Sequence, residues 1–402
     1  MRGRFPVLAC GLAALLAILA TSSHSAAWSN GGYSADPSNP DYGTHDWIAQ
    51  HALDWLPVGE RQYLSANLAA YLYGTELPDN GGAPDGIGDA TMHHVYYRSG
   101  GALQDDASAV RASEEFAVAR AYLQASNYAM AAKVAGIMSH YIADVAVFGH
   151  VMGSATDWGA EVHHSDYETY VTDRMTGYAS GAFDPYLSFD GVLGSVSAYD
   201  AALRIARNTT FGDGGDAKDC VWMDANYDWG NPTFKDSAGA SLNRAVNALA
   251  DVLHTLAVQA GNLPPVDTGK PMVSITSPAE GETLTSAIVT VTGYAADDVG
   301  VQRVDVSKDA THWEACGGTT SWAGTLTLAA GSNTIYARAI DIGGNWNVTS
   351  VHVTVSVPPA NPGGTSSGFP FDLALLAALV GTLAAGLGLW ERRRRRHPGR
   401  YG

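Results

Sequence analysis

Residues 140–150 read HYIADVAVFGH and residues 163–168 read HHSDYE, so imidazoles and carboxylates recur inside apolar, helix-forming sequence. His140 and Asp144 are four apart, as are His164 and Glu168. On a helix that offset stacks each pair on one face, where both side chains reach a common point. His150 follows Gly149, where the helix is expected to loosen. Neutral imidazole with carboxylate is a ligand set that zinc accepts, whereas calcium or magnesium takes oxygen almost alone. A single His-x-x-x-Asp is usually a histidine satisfied by its neighbour. Two such pairs beside a third histidine predict a transition-metal cluster.

Outward from this stretch, the chain is Ala-rich from about His45 to Ala260. Helix-period apolar spacing runs through THDWIAQHALDWL (44–56), EEFAVARAYLQASNYAMAAKVAGIMSHYIADV (114–145) and SLNRAVNALADVLHTLAVQ (241–259). Thr44 is the expected N-cap of the first. These segments predict an all-α domain over 28–262, large enough to bury a sizeable core. GNLPPVDTGKP (261–271) then breaks the pattern. Beyond it, VSITSP, AIVTVTGYAADD, VQRVDVSKD and the run from Thr325 to Val357 alternate β-branched and polar residues between Gly and Asp turns. That spacing predicts an all-β sandwich over 268–357.

The termini set further expectations. Arg2 and Arg4, an apolar run from Val7 to Ala20 and the small residues SSHSAA have the layout of a signal peptide over 1–27. Cleavage after Ala27 would make Trp28 the first residue. PPANPGGTSSG opens a flexible stalk over 358–372. Leu373–Trp390 is an apolar run followed by ERRRRR. It is expected to be a transmembrane helix, with 391–402 as a basic cytoplasmic tail. The expected location is thus the outer face of the cell membrane, held by that C-terminal helix.

Acids outnumber bases, 40 Asp+Glu against 23 Lys+Arg, for a formal net charge of −17. The arginines at positions 2, 4, 392–396 and 400 crowd the ends, so the stretch between is more acidic still. This argues against nucleic acid as a partner held through phosphate contacts. Of the three cysteines, Cys10 falls in the signal segment, and Cys220 and Cys316 fall in different predicted domains, which argues against a disulfide framework. GDGGD near Gly212 reads as a turn, and the N-x-S/T sequences at Asn208 and Asn347 say nothing of mechanism.

The ordered array Trp28, His45 in THDWI, Asp79 in ELPDN, His93-His94 in TMHHVYY, His140 and Asp144 in HYIAD, His150, then His164 and Glu168 resembles the bacterial zinc-dependent phospholipase C family. The β-domain resembles bacterial Ig-like modules through YAADDVGVQRVDVS (294–307) and ARAIDIGGNWN (337–347). The first resemblance implies three zinc ions in one cleft. Trp28, through its α-amine and carbonyl, would hold one ion with His45, and Asp144 would bridge it to a second. The second ion would also take His140 and one of the paired histidines. His94 is preferred, because His94-Val95-Tyr96 sets it before one residue and then an aromatic, as the family's ligand is placed. His150, His164 and Glu168 would hold the third, and Asp79 matches the family's proposed general base.

The activity so implied is hydrolysis of phospholipid to diacylglycerol and a phosphorylated head group. An S1/P1-type zinc nuclease is one alternative, although the resemblance there favours Asp at the position of Glu168. A non-catalytic zinc-containing surface protein is the other, with the Ig-like domain meeting a surface partner.

Overall fold

The computed structural model describes residues 34–356 except 180, 214 and 216. The signal segment 1–27, Trp28, the stalk 358–372, the apolar run 373–390 and the basic tail 391–402 lie outside the described residues.

The first half is built from helices. These are α1 (Thr44–Ala52), α2 (Val58–Ala66), α3 (Leu68–Glu76), α4 (Ala107–Gln124), α5 (Tyr128–Asp144), α6 (His164–Thr172), α7 (Ala198–Phe211), α8 (Cys220–Ala225) and α9 (Pro232–Ala260). A short antiparallel pair, β1 (Tyr96–Tyr97) with β2 (Leu103–Asp105), precedes α4. The domain is therefore not purely helical. Its core gathers Trp47, Tyr63, Tyr71, Tyr141, Tyr167 and Phe234, all buried, among many alanines. Burying such an aromatic contributes roughly 1.5–3 kcal/mol, and the alanines let the helix axes approach closely.

Two local features depart from the sequence reading. The segment 114–145 is two helices, because Ser126 adopts φ of +57° and the Asn127 side chain accepts the Met130 amide to start α5 afresh. Thr44 is the first residue of α1 and not its cap. Gly43 occupies the cap position in extended backbone, its amide donates to Asp46 Oδ2 at 2.9 Å, and the Thr44 hydroxyl is paired with Thr172.

α3 and α5 cross at backbone contact. A Cβ on Gly136 would lie 2.0 Å from the Tyr71 carbonyl oxygen, and one on Gly74 would lie 2.0 Å from that of Lys133. No other residue fits at either position. After α9, the linker folds back on α2. The buried Gln62 side chain donates to the Pro265 carbonyl and accepts the Asp267 amide.

The second half is a β-sandwich of β3 (Met272–Ser277), β4 (Glu282–Leu284), β5 (Ile288–Ala296), β6 (Val301–Ser307), β7 (Glu314–Ala315), β8 (Ser321–Thr327), β9 (Gly331–Asp341) and β10 (Trp346–Val355). One sheet has the order β4-β10-β9-β6-β7 and the other β3-β5-β8. Val289, Val291 and Ala295 point inward from β5 in strict alternation. Trp322 packs across Gly293, where a Cβ would lie 2.3 Å from the indole.

The expected membrane anchor requires correction. Among the described residues no helix is long and apolar enough to cross a membrane. Even α9, the longest, carries Lys235, Asp236, Arg244 and Asp251 along its length, and ionised groups in hydrocarbon are costly. The fold class of the described residues is accordingly a helical domain with one small β-pair followed by an Ig-like sandwich, with no transmembrane helix among them. Placement at the outer face of a membrane through a C-terminal anchor finds no support.

Candidate metal centre

Helices α1, α5 and α6 aim their polar faces into one pocket. His140 and Asp144 lie a turn apart on α5, His164 and Glu168 a turn apart on α6, and His45 sits in the first turn of α1. After α5 ends, the chain makes a 3-10 turn over Phe148–His150, which brings His150 round to the same point. Gly149 is required there, since a Cβ would lie 2.2 Å from the His164 ring.

Asp144 is the centre of the array. Its Oδ1 lies 3.2 Å from His45 Nε2, and its Oδ2 lies 3.0 Å from His140 Nε2 and 3.1 Å from His93 Nδ1. His150 Nε2 is 3.8 Å from Oδ1. Asp79 Oδ1 lies 3.2 Å from His93 Nδ1 and 3.7 Å from His140 Nε2. The other end of the pocket is built on Glu168, whose Oε1 is 2.8 Å from His164 Nε2 and 3.2 Å from His150 Nε2. Three groups of donors each lie within 4.8 Å of one another: His45, Asp79 and His140; His93, His140 and Asp144; His150, His164 and Glu168.

These residues fit zinc. A tetrahedral ion with bonds of about 2.0–2.1 Å sets its ligand atoms about 3.3 Å apart, and the separations above cluster there. Asp144 and Glu168 are wholly buried. Both oxygens of Asp144 face imidazole nitrogens, and Oε2 of Glu168 has no hydrogen-bond partner. Buried carboxylates left in that condition call for a cation.

An outer layer of bonds fixes the ligand tautomers. His140 Nδ1 meets the Thr75 carbonyl at 2.7 Å, which leaves Nε2 for the pocket, and Thr75 Oγ1 donates to the buried Asp46 at 3.0 Å. His93 Nε2 meets Asp89 Oδ1 at 3.2 Å. Asp89 in turn accepts from Tyr141 and from Arg111 Nε at 2.9 Å. His164 Nδ1 lies 3.8 Å from Glu161.

The field of these acids governs the histidines. Burial alone would lower His93, but Asp144, Asp79 and Asp89 push it up to about 11. Burial likewise works against His164, yet Glu168 and Glu161 push it up to about 10. His45 moves the other way, through burial and its neighbour His140. Burial opposes ionisation of Asp144, but the imidazoles of His140 and His150 hold it well below the usual carboxylate range. Without metal, then, the pocket holds protons where cations belong, and cation binding must release them. Zinc affinity is expected to rise with pH through neutrality. Calorimetric titration at pH 7 in buffers of different ionisation enthalpy should register at least one proton released per chain, and buffer-independent heats would contradict this.

The structure brings together six of the eight metal-site residues read from the sequence, His45, His140, Asp144, His150, His164 and Glu168, together with Asp79. Of the other two, Trp28 lies outside the described residues and His94 lies outside the cluster. Of the paired histidines it is His93, not His94, that enters the cluster. Val95 is buried and its amide donates to the His150 carbonyl, so His93 turns inward and His94 outward, stacked on Tyr96 and 3.3 Å from Asp105. His51 stands apart, paired with Asp54. Sequence reasoning missed Asp89, Arg111, Tyr141 and Glu161. Asp89 did carry a signal, since it precedes His93 by the same four residues that relate the two helical pairs. His93→Ala is expected to lower zinc content and cut activity about 100-fold or more, a ligand being worth at least as much as its supporting partner. His94→Ala should leave zinc content unchanged. Metal analysis of both variants separates the two histidines.

A cavity of about 300 Å³ opens beside the cluster, lined by His93, His94, Tyr96, His150, Glu161 and His164 among others. It gives a substrate direct access to the second and third donor groups. Elsewhere, Cys220 and Cys316 are free thiols, and Gly212 caps α7 in the left-handed region.

The zinc dependent phospholipase C family matches residues 44–207, and the bacterial Ig domain family matches residues 271–337. Among solved structures, the chain is similar to alpha toxin from Clostridium absonum (15% identity, 79% of this chain and 98% of that one, TM-score 0.38). It is also similar to alpha-toxin from an avian strain of Clostridium perfringens (13% identity, 79% and 99%, TM-score 0.37). The fibronectin(III)-like modules of Clostridium thermocellum CbhA align with 22% of the chain at 21% identity, covering 98% of their own length (TM-score 0.20). No curated protein matches. Residues 44–207 thus form a domain matching the zinc dependent phospholipase C family, with a bacterial Ig domain match after them over 271–337, and this supports a phospholipase C enzyme.

Proposed function

We propose that the chain hydrolyses the glycerol-side P–O bond of phospholipids, releasing diacylglycerol and the phosphorylated head group. Three zinc ions are held around Asp144 and Glu168, with His45, His93, His140, His150 and His164 as the imidazole ligands. The observation that carries this reading is the wholly buried Asp144, ringed by imidazole nitrogens of His45, His93 and His140 at 3.0–3.2 Å. Bound zinc supplies a water acidic enough to ionise near neutrality and positive charge against the phosphate oxygens.

Asp79 is assigned the proton transfer. It reaches both His93 and His140, and its side chain is 30% exposed where Asp144 is sealed. Burial works against its ionisation, but His140 and His93 hold its carboxyl below the usual range. It is thus an ionised acceptor at the mouth of the pocket. Bond cleavage adds water across phosphorus and oxygen, with the hydroxyl to phosphorus and the proton to the diacylglycerol oxygen.

The test is an assay of the purified protein against phosphatidylcholine, other phospholipids and single-stranded DNA, with and without chelator. Diacylglycerol released by zinc-loaded protein, lost on chelation and lost in Asp79→Asn with zinc retained, supports the reading. Cleavage of DNA alone, or zinc binding with neither substrate attacked, overturns it.

A further inference from the structure

The second half of the molecule contains a carboxylate cluster of different chemistry. Asp267 lies in the linker, Asp297 in the turn between β5 and β6, and Asp341 at the end of β9. One oxygen from each lies within 4.8 Å of the other two. Asp297 and Asp341 occur in the two stretches, AADDVG and AIDIGG, that carry the Ig-like resemblance, so the fold brings paired turn motifs to one point and the linker to meet them.

Each carboxylate is pinned by one oxygen. Asp267 Oδ1 accepts the Gly269 amide at 2.8 Å, Asp297 Oδ1 accepts the Val299 and Gly300 amides at 3.0 Å, and Asp341 Oδ1 accepts the Asn345 amide at 2.8 Å. The second oxygens are the telling ones. Asp341 is wholly buried, and its Oδ2 has no hydrogen-bond partner. Asp267 Oδ2 is likewise buried and without a partner. Among the described residues no ion pair engages Asp267, Asp297 or Asp341, whereas Asp305 is met by Arg303 and Arg338. Burial, with Asp267 and Asp297 alongside, pushes the Asp341 carboxyl up. Desolvated like charges of this kind are costly unless a cation joins them.

The donor set identifies the cation class. All three donors are carboxylate oxygens and no imidazole or thiol is among them, which suits a hard divalent ion and not zinc. The irregular arrangement, from a linker and two turns, suits the flexible coordination of calcium better than the strict octahedron of magnesium. The position has its own meaning. The Asp267 amide is bonded to Gln62 of the helical domain while its carboxylate joins the sandwich, and its carbonyl accepts from Asn345 at 3.1 Å.

We propose that Asp267, Asp297 and Asp341 form a calcium site that ties the linker to the Ig-like domain, separate from the zinc centre. Calorimetric titration of CaCl2 into zinc-loaded full-length protein should show one site per chain. Asp297→Asn lies on a partly exposed turn and should weaken binding at least tenfold, with Asp341→Asn doing the same. Asp298→Asn, the neighbouring acid outside the cluster, and Glu168→Gln in the zinc pocket should leave calcium affinity unchanged. Calcium should also slow proteolytic cleavage between the domains in the wild type and not in Asp297→Asn. Absence of binding at millimolar calcium overturns the proposal. So does an Asp297→Asn protein that binds as the wild type does, or binding abolished by Glu168→Gln.

Discussion

Asp144→Asn is expected to yield a protein that folds but retains little zinc and loses at least about 10³-fold in phospholipid hydrolysis, or some 4 kcal/mol at about 1.4 kcal/mol per decade. The substitution keeps the shape of the side chain and removes its charge. Asp144 alone spans the space between His45 on one side and His93 and His140 on the other, so two donor groups lose their common anion together. In metal-free protein the same change strands charged imidazoles beside a neutral amide, and removing one partner of a buried ionic pair costs about 3–5 kcal/mol. Metal analysis, activity and thermal unfolding check the three consequences. A variant that keeps full zinc and full activity would remove Asp144 from the centre. Asp79→Asn should differ in kind, keeping the fold and most of the zinc while hydrolysis fails.

Gly136→Val is expected to abolish the fold. The added Cβ alone meets the Tyr71 carbonyl at 2.0 Å and the Gly74 Cα at 3.0 Å, so α3 and α5 must separate by more than an ångström along a close-packed seam. Changes of this kind exceed about 4 kcal/mol, against a total stability on the order of 5–15 kcal/mol. The seam also carries function, because Thr75 on α3 holds the His140 ring through its carbonyl. Any molecules that fold should therefore bind zinc poorly. Gly100→Ala, whose Cβ meets nothing within 4 Å, is the control and should melt with the wild type. Circular dichroism on the pair decides the matter.

Helical spacing made the first half legible, because Ala-rich amphipathic segments and His-x-x-x-acid pairs both follow the same 3.6-residue period. Alternation and turn residues did the same for the sandwich. The choice between His93 and His94 was not legible. It depends on a long-range hydrogen bond from Val95 to His150, and spacing within TMHHVYY carries no trace of it. The break between α4 and α5 rests on one left-handed serine, a conformation no propensity forecasts. The apolar run 373–390 invited a membrane span on hydropathy alone. Nothing among the described residues answers to one.

The Gln62 clasp on the linker bears on how the enzyme is to be dissected. The last helix stops at Ala260, yet a fragment ending there would leave a sealed amide group facing the vacated path of Pro265 and Asp267 with nothing to bond. A stand-alone catalytic fragment should run through residue 267, and one trimmed shorter should express poorly for reasons unrelated to its chemistry.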